Sequence, residues 1–256
     1  MPPTVTGLQD RISGVVLTPD SADYERARTV WNAMVDRRPR LIVRCANRDD
    51  VASAIRYGRE QDLEIGIRCG GHSIVGHAVP EDGLVIDLTP MNQVTVDPAH
   101  RRAWVQGGTL LGALDLASTA HGLATTAGNV SHTGVGGLTL GGGMGWLARQ
   151  HGLTCDNGIS FEVVTADGRI VRASEHDNPE LYWGLRGGGG NFGVVTTFEF
   201  QLHRVTAPAM QAILTFPLDT AAAAFRGWRD LAAAAPRQAT HTAWVGDVDG
   251  SPQVAL

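Results

Sequence analysis

Three glycine clusters constrain this chain more than any other feature. They are Arg68-Cys-Gly-Gly-His-Ser73, the run AGNVSHTGVGGLTLGGGMG from Ala127 to Gly145, and Arg186-Gly-Gly-Gly-Gly-Asn-Phe-Gly193. Glycine lets backbone amides approach an anion closely and adopt the alternating conformations of an anion nest. One such loop says little. Three in one domain, each beside a strand-like run, predict a long ligand with a diphosphate in its middle.

Two of the clusters match the dinucleotide fingerprint by letter. Gly143-Met-Gly145-Trp-Leu-Ala148 reads GxGxxA, and Gly188-Gly-Gly190-Asn-Phe-Gly193 reads GxGxxG. Both fail on context, because the fingerprint needs a strand before it and a helix after it. The first follows more glycines, and the second opens the strand-like run GVVTTFEF. Close backbone packing is the better reading of both, and nicotinamide binding is not expected.

Around the clusters the pattern is that of mixed helix and sheet. A helix is predicted over Ser21–Met34, and a strand at LIVRCA (41–46). Asn47 caps a helix through Glu60, with Val51, Ala54, Ile55 and Gly58 near one face. LEIGIR (63–68) completes a β-α-β opening. GLVIDL follows, then NQVTV and RAWVQ as a hairpin across DPAH, then a helix ended by Gly122. ISFEVVTA and RIVRA flank an Asp167-Gly168 hairpin turn, and NPELYWGL is a short helix with Pro179 in its first turn. GVVTTFEFQL (193–202) is a long half-buried strand.

Near Pro208 the texture changes. MQAILTFPL reads as a strand, TAAAAFRGWRDLAAAA as a helix, and TAWVGDV and SPQVAL as a hairpin turning at Asp249-Gly250. This is the opening of a second layer of sheet and helix, and its last strand lacks a covering element. The expectation is a longer protein whose exposed hairpin edge invites pairing with another chain, a homodimer for instance. Between Val205 and Leu256 there is no Tyr or Lys, and the only His is His241. No catalytic base is identified.

Composition removes several function classes. All 21 basic residues are Arg, so a Lys Schiff base and a Walker-type phosphate loop are excluded. Hydrophobic residues make up 43% and charged residues 18%, a soluble composition. The net charge of −5 leaves no footprint for nucleic acid. Cys45, Cys69 and Cys155 form no CxxC pair, so neither a disulfide framework nor a zinc site is indicated, and Cys69 and Cys155 are read as structural. From Leu116 to Ala148 there is no charged side chain, but so many glycines would leave backbone groups unsatisfied in lipid. That stretch is read as buried loop rather than membrane span. No signal peptide is visible at the N-terminus, and the expected location is the cytoplasm.

His72 follows the paired glycines of the first cluster. A plain loop histidine is the commonest reading of such a residue. A metal site with His77 lacks partners, since His121, His132 and His151 are scattered, and a serine hydrolase would need a GxSxG elbow that is absent. A nucleophile toward a bound cofactor remains open, because neutral imidazole bonds to an electrophilic carbon held against it.

GIRCGGHSIVGH, VIDLTPMNQVTVD, VGGLTLGGGMGWLARQHGLTCDN and ELYWGLRGGGGNFGVVTTFEFQL, in that order, resemble the p-cresol methylhydroxylase-type FAD-binding domain. The chain is most similar to its berberine-bridge-enzyme and 6-hydroxy-D-nicotine-oxidase branch. The resemblance implies an α+β fold: a two-subdomain FAD-binding domain over residues 36–207, followed at 208–256 by the start of a substrate domain. It implies FAD bonded covalently through His72, with Arg68, Cys69, Gly70, Gly71, Ser73 and His77 in the pyrophosphate loop. Gly128, Val130, Thr133, Gly134, Gly136 and Gly137 then line the ring and ribityl chain. Gly142 and Gly145 complete the set, and Val195 meets the adenine side. Some relatives add a second bond from a cysteine; Val130 stands in that slot, which implies a single tether. The implied activity is hydride removal from a carbon bearing oxygen or nitrogen in a small molecule, with reoxidation by oxygen. Two other readings share the fold: a noncovalent reductase of the UDP-N-acetylenolpyruvoylglucosamine type, and a truncated non-catalytic relative.

Overall fold

The computed structural model describes residues 5–205, 209–248 and 251–256. The 207/208 boundary and the Asp249-Gly250 turn lie outside the described residues.

The first sheet has the order β1-β2-β4-β3, from β1 (Val15–Leu17), β2 (Leu41–Arg44), β3 (Ile65–Arg68) and β4 (Leu84–Asp87). β4 lies parallel between β2 and β3, and β1 runs antiparallel to β2. Period-two alternation divides its side chains between two cores. Leu41, Val43, Leu84 and Ile86 pack against Val51, Ala54 and Ile55. These three come from the helix over Arg48–Glu60, where Asn47 Oδ1 accepts from the amides of Asp49 and Asp50. Ile42 and Val85 point the other way, onto Tyr24, Ala27 and Val30.

The helix expected over Ser21–Met34 is only Tyr24–Arg28. The chain becomes extended at Thr29, and the Trp31 amide then donates to Gly71 O at 3.0 Å rather than to a helical carbonyl. A long-range bond ends the helix early.

From Val94 onward come β5 (Val94–Asp97), β6 (Arg102–Gln106), β7 (Leu123–Ala124), β8 (Gly158–Val164), β9 (Ile170–Ser174), β10 (Val194–Gln201) and β11 (His203–Arg204). Five form an antiparallel sheet of order β5-β6-β10-β8-β9, while β7 pairs with β11. Phe161, Phe198 and Phe200 are fully buried in its core with Leu111, Leu114 and Val135. The Arg48–Glu162 ion pair, and the bond from Arg56 to Gly168 O, tie the 48–60 helix to this second sheet. Val164 and Val194 complete the first sheet's core.

The stretch expected to be buried loop is neither wholly loop nor wholly buried. Val135–Leu140 forms a helix and Ala148–His151 another turn of helix, while Met144 and Trp146 are exposed. Small residues allow this short helix to lie close to the second sheet: a Cβ on Gly136 would stand 3.2 Å from Gly107 O. As for the fingerprint-like runs, Gly143–Ala148 follows a helix and Gly188–Gly193 opens β10. A third sheet, β12-β14-β13, joins β12 (Thr215–Pro217), β13 (Trp244–Val248) and β14 (Ser251–Ala255) beside a helix over Ala221–Ala234. No helix among the described residues is long and apolar enough to cross a membrane.

Candidate cofactor-binding site

A cleft of about 730 Å³ lies where the glycine clusters converge. One wall follows β3 into residues 69–73. The floor comes from Gly107 and the 133–141 segment, and the far wall from Gly189–Asn191 and Gly193–Val195. Apolar surface is supplied by Leu88, Leu138, Leu140 and Phe198.

The 68–73 loop is held from outside by the chain after Tyr24–Arg28. Besides the Trp31 bond, Asn32 Nδ2 donates to Ile74 O at 2.7 Å and Arg37 Nη1 to Gly76 O at 3.1 Å. Within the loop, Ser73 Oγ accepts from the His77 amide. Gly71 has φ +69°, the left-handed region where side chains are disfavoured. Among the described residues the amides of Gly71, His72 and Ser73 donate to no backbone carbonyl. They are unspent donors on residues that line the cleft, which is what a diphosphate requires.

The glycines divide by what a side chain would meet. On Gly134 a Cβ would stand 2.5 Å from Cys69 Sγ and from Gly70 N, so two of the clusters touch backbone to backbone. On Gly137 or Gly190 it would stand in open space. This bare cradle, with its unspent amides, fits FAD.

His72 lies at the rim. Its Nε2 is 2.7 Å from His132 Nδ1, and the Trp31 ring stacks on it at 5.4 Å between centroids. Burial, then the neighbouring His132, lowers the His72 pKa and favours the neutral imidazole. Cys69 Sγ approaches Thr109 O at 3.4 Å, and burial pushes its thiol up to about 11. It is protonated and unreactive at neutral pH.

Of the implied cofactor residues, the cleft collects Cys69, Gly70, Gly71, His72, Ser73, His77, Thr133, Gly134, Gly136, Gly137 and Val195. Five lie elsewhere. Arg68 turns to the buried Asp87 carboxylate at 3.6 Å and donates to Thr29 O. Asp87 is shared between Arg68 and Arg44, and Arg68 thereby braces the loop from behind. Val130 is 43% exposed beyond the lining. Gly128 and Gly145 are bare because Leu138 and Ala127 O occupy the space of their Cβ atoms. Gly142 has φ +106°, and its carbonyl accepts from the Cys155 amide. The sequence reading leaves Trp31 unremarked, weighs His132 only as a metal partner, and counts the cluster holding Gly189–Asn191 among the ligand loops without assigning those residues to the cofactor. The signal for His132 was its place inside the second glycine cluster.

Among the described residues no group of three or more His, Cys, Asp or Glu is placed to hold a metal ion. Comparison with known proteins agrees with the geometry. The family described as FAD binding domain matches residues 39–174. (R)-6-hydroxynicotine oxidase of Paenarthrobacter nicotinovorans is 38% identical over 205 residues, which is 80% of this chain and 45% of the oxidase. The structure of Physcomitrella patens BBE-like 1 superposes with TM-score 0.89 at 28% identity, covering 98% of this chain and 55% of that one. Glucooligosaccharide oxidase from Acremonium strictum, described as carrying 6-S-cysteinyl, 8α-N1-histidyl FAD, gives TM-score 0.82 at 30% identity, covering 94% and 52%. The chain spans about half the length of the relatives it matches. It belongs to the FAD binding domain family, of the p-cresol methylhydroxylase and berberine-bridge-enzyme type.

Proposed function

We propose that this chain is the FAD-carrying part of an oxidase that removes a hydride from a small-molecule carbon bearing oxygen or nitrogen. When bound, FAD supplies the two-electron acceptor, and oxygen takes the electrons onward. The chain's own residues bind and orient it. The amides of Gly71, His72 and Ser73 hold the diphosphate, and the bare Gly136, Gly137 and Gly190 let the cofactor lie against backbone. Leu138, Leu140 and Phe198 keep water from its apolar part. His72 is the covalent anchor, through the flavin 8α carbon, and Val130 in the cysteine slot leaves it the single tether.

The observation that carries this reading is His72, favoured neutral, at the rim of a glycine-walled cleft with unspent amides beside it. The test is acid precipitation of the purified yellow protein. A yellow pellet that His72→Ala turns colourless supports the covalent oxidase. A yellow supernatant from the wild type points to the noncovalent reductase class, and a colourless protein to a non-catalytic relative.

A further inference from the structure

We propose that His132 is a positioning residue for the flavin tether: it accepts the proton of His72 Nε2 and thereby presents the Nδ1 lone pair as the bonding atom. This rests on the covalent reading of His72.

The two rings are 60 residues apart in sequence and 2.7 Å apart in space. A hydrogen bond between two neutral imidazoles needs one donor and one acceptor nitrogen. Whichever ring donates, Nε2 of His72 is occupied. Only Nδ1 is left to attack, since it has no hydrogen-bond partner among the described residues. Its lone pair is free only in the tautomer whose Nε2–H donates to His132.

The surroundings hold that arrangement. Trp31 stacks on His72 with an interplanar angle of 17°, and its amide is fastened to Gly71 O. The contact of Gly70 with Gly134 fixes how closely the two backbones approach, and a Cβ on Gly70 would stand 2.9 Å from His132 O. Behind the loop the half-buried Arg44 and Arg68 are each paired with the buried Asp87. His132 itself is exposed, so a proton it accepts passes to solvent.

A bond forms between Nδ1 and the 8α carbon, and one methyl C–H breaks. That proton leaves to solvent while the electron pair stays on the flavin ring. The alkylated imidazole sheds its Nε2 proton to His132. Dioxygen then takes the electron pair and two protons as hydrogen peroxide, which returns the ring to its oxidised form.

The experiment follows covalent incorporation after FAD is added to apoprotein, as the fraction of flavin that precipitates with protein in acid. Total bound flavin is measured in parallel. General-base help is worth about 10²–10⁴-fold, so His132→Leu is expected to bind FAD and form the bond at least about tenfold more slowly. His132→Asn places an acceptor oxygen near the lost Nδ1, which selects the same tautomer of His72 but cannot take the proton, and is expected to recover part of the rate. Wild-type incorporation in His132→Leu overturns the proposal, as does an Asn variant no faster than Leu. If His132→Leu fails to fold, ¹⁵N-histidine NMR of wild-type apoprotein decides. His72 as the Nε2–H tautomer supports the role, and the Nδ1–H tautomer overturns it. A colourless wild-type pellet defeats the covalent reading itself, and the role of His132 with it.

Discussion

Gly134→Ala separates steric cost from conformational cost. The native backbone at Gly134 has φ −72° and ψ 132°, which alanine adopts without strain. Space is what is lacking. The new Cβ stands 2.5 Å from Cys69 Sγ and from Gly70 N, whereas ordinary contact begins at 3.4 Å. One loop must therefore retreat by about 0.9 Å, and overpacking of this kind costs about 1–3 kcal/mol. Because one obstacle is backbone rather than a flexible side chain, the expected loss is in the upper half, about 2–3 kcal/mol. The same retreat stretches the 2.7 Å bond between His72 and His132 past hydrogen-bonding distance. The assay is urea unfolding of apoprotein, with the midpoint falling at unchanged slope, beside flavin retention on gel filtration. Cys69→Ala in the same chain removes the sulfur but not Gly70 N, so it is expected to restore only part of the loss. A Gly134→Ala protein within about 0.5 kcal/mol of wild type, with full flavin retention, would refute loop-to-loop contact as the reason for this glycine.

The other expectations concern separate features. Gly71→Asn is expected to keep FAD and Gly71→Val to lose it, since φ +69° suits Asn far better than a β-branched residue; equal retention on gel filtration sinks the claim. Cys69→Ala should leave the acid-stable flavin fraction and the flavin spectrum unchanged, because a thiol at about 11 stays protonated; a change in either would reveal a second bond. Asn47→Ala removes a cap that serves two amides and should cost about 1 kcal/mol in urea unfolding; no shift in midpoint counts against the cap. His151 and His203 stack at 3.8 Å, and burial lowers both pKa values. The unfolded chain therefore binds protons more readily, so their contribution is complete above the ordinary histidine value near 6.5 and is lost as pH falls toward the folded values. The urea midpoint should drop between pH 7.5 and 5.5, and drop less in a His151→Gln, His203→Gln protein; identical slopes would contradict this.

What was legible in the sequence was what local chemistry decides. Leu41–Arg44 and Leu84–Asp87 read as strands because β-branched and apolar residues run without interruption, and both faces of that sheet are buried. Asn47 announced a helix start, and Asp167-Gly168 announced a hairpin in which Gly168 has φ +76°. What was not legible depends on partners far along the chain. The Tyr24–Arg28 helix stops short because a carbonyl at Gly71 takes the Trp31 amide, and no residue near Thr29 signals that. Val135–Leu140 is a helix despite two glycines of poor propensity, and the bareness of one of them, Gly136, is what lets the backbone approach Gly107. Arg68 looks like a phosphate ligand until β4 is paired beside β3 and brings Asp87 up to it.

The glycine clusters show the same limit most clearly. In sequence all their glycines are equivalent, and each could be assigned to the cofactor. In the structure Gly134, Gly128 and Gly145 are bare because protein atoms already fill the space. Gly71 and Gly142 are bare because of a positive φ, and Gly137 and Gly190 face open space. Only the last pair can be bare solely for a ligand. Alanine at Gly137 or Gly190 therefore meets no protein atom within 4 Å, and the backbone freedom it removes from the unfolded chain favours the fold. A loss of FAD affinity at undiminished apoprotein stability is expected at these two positions. If Gly190→Ala and Gly137→Ala both bind FAD as tightly as wild type, the cofactor does not rest on these walls, and the glycines of the cleft are explained by packing alone.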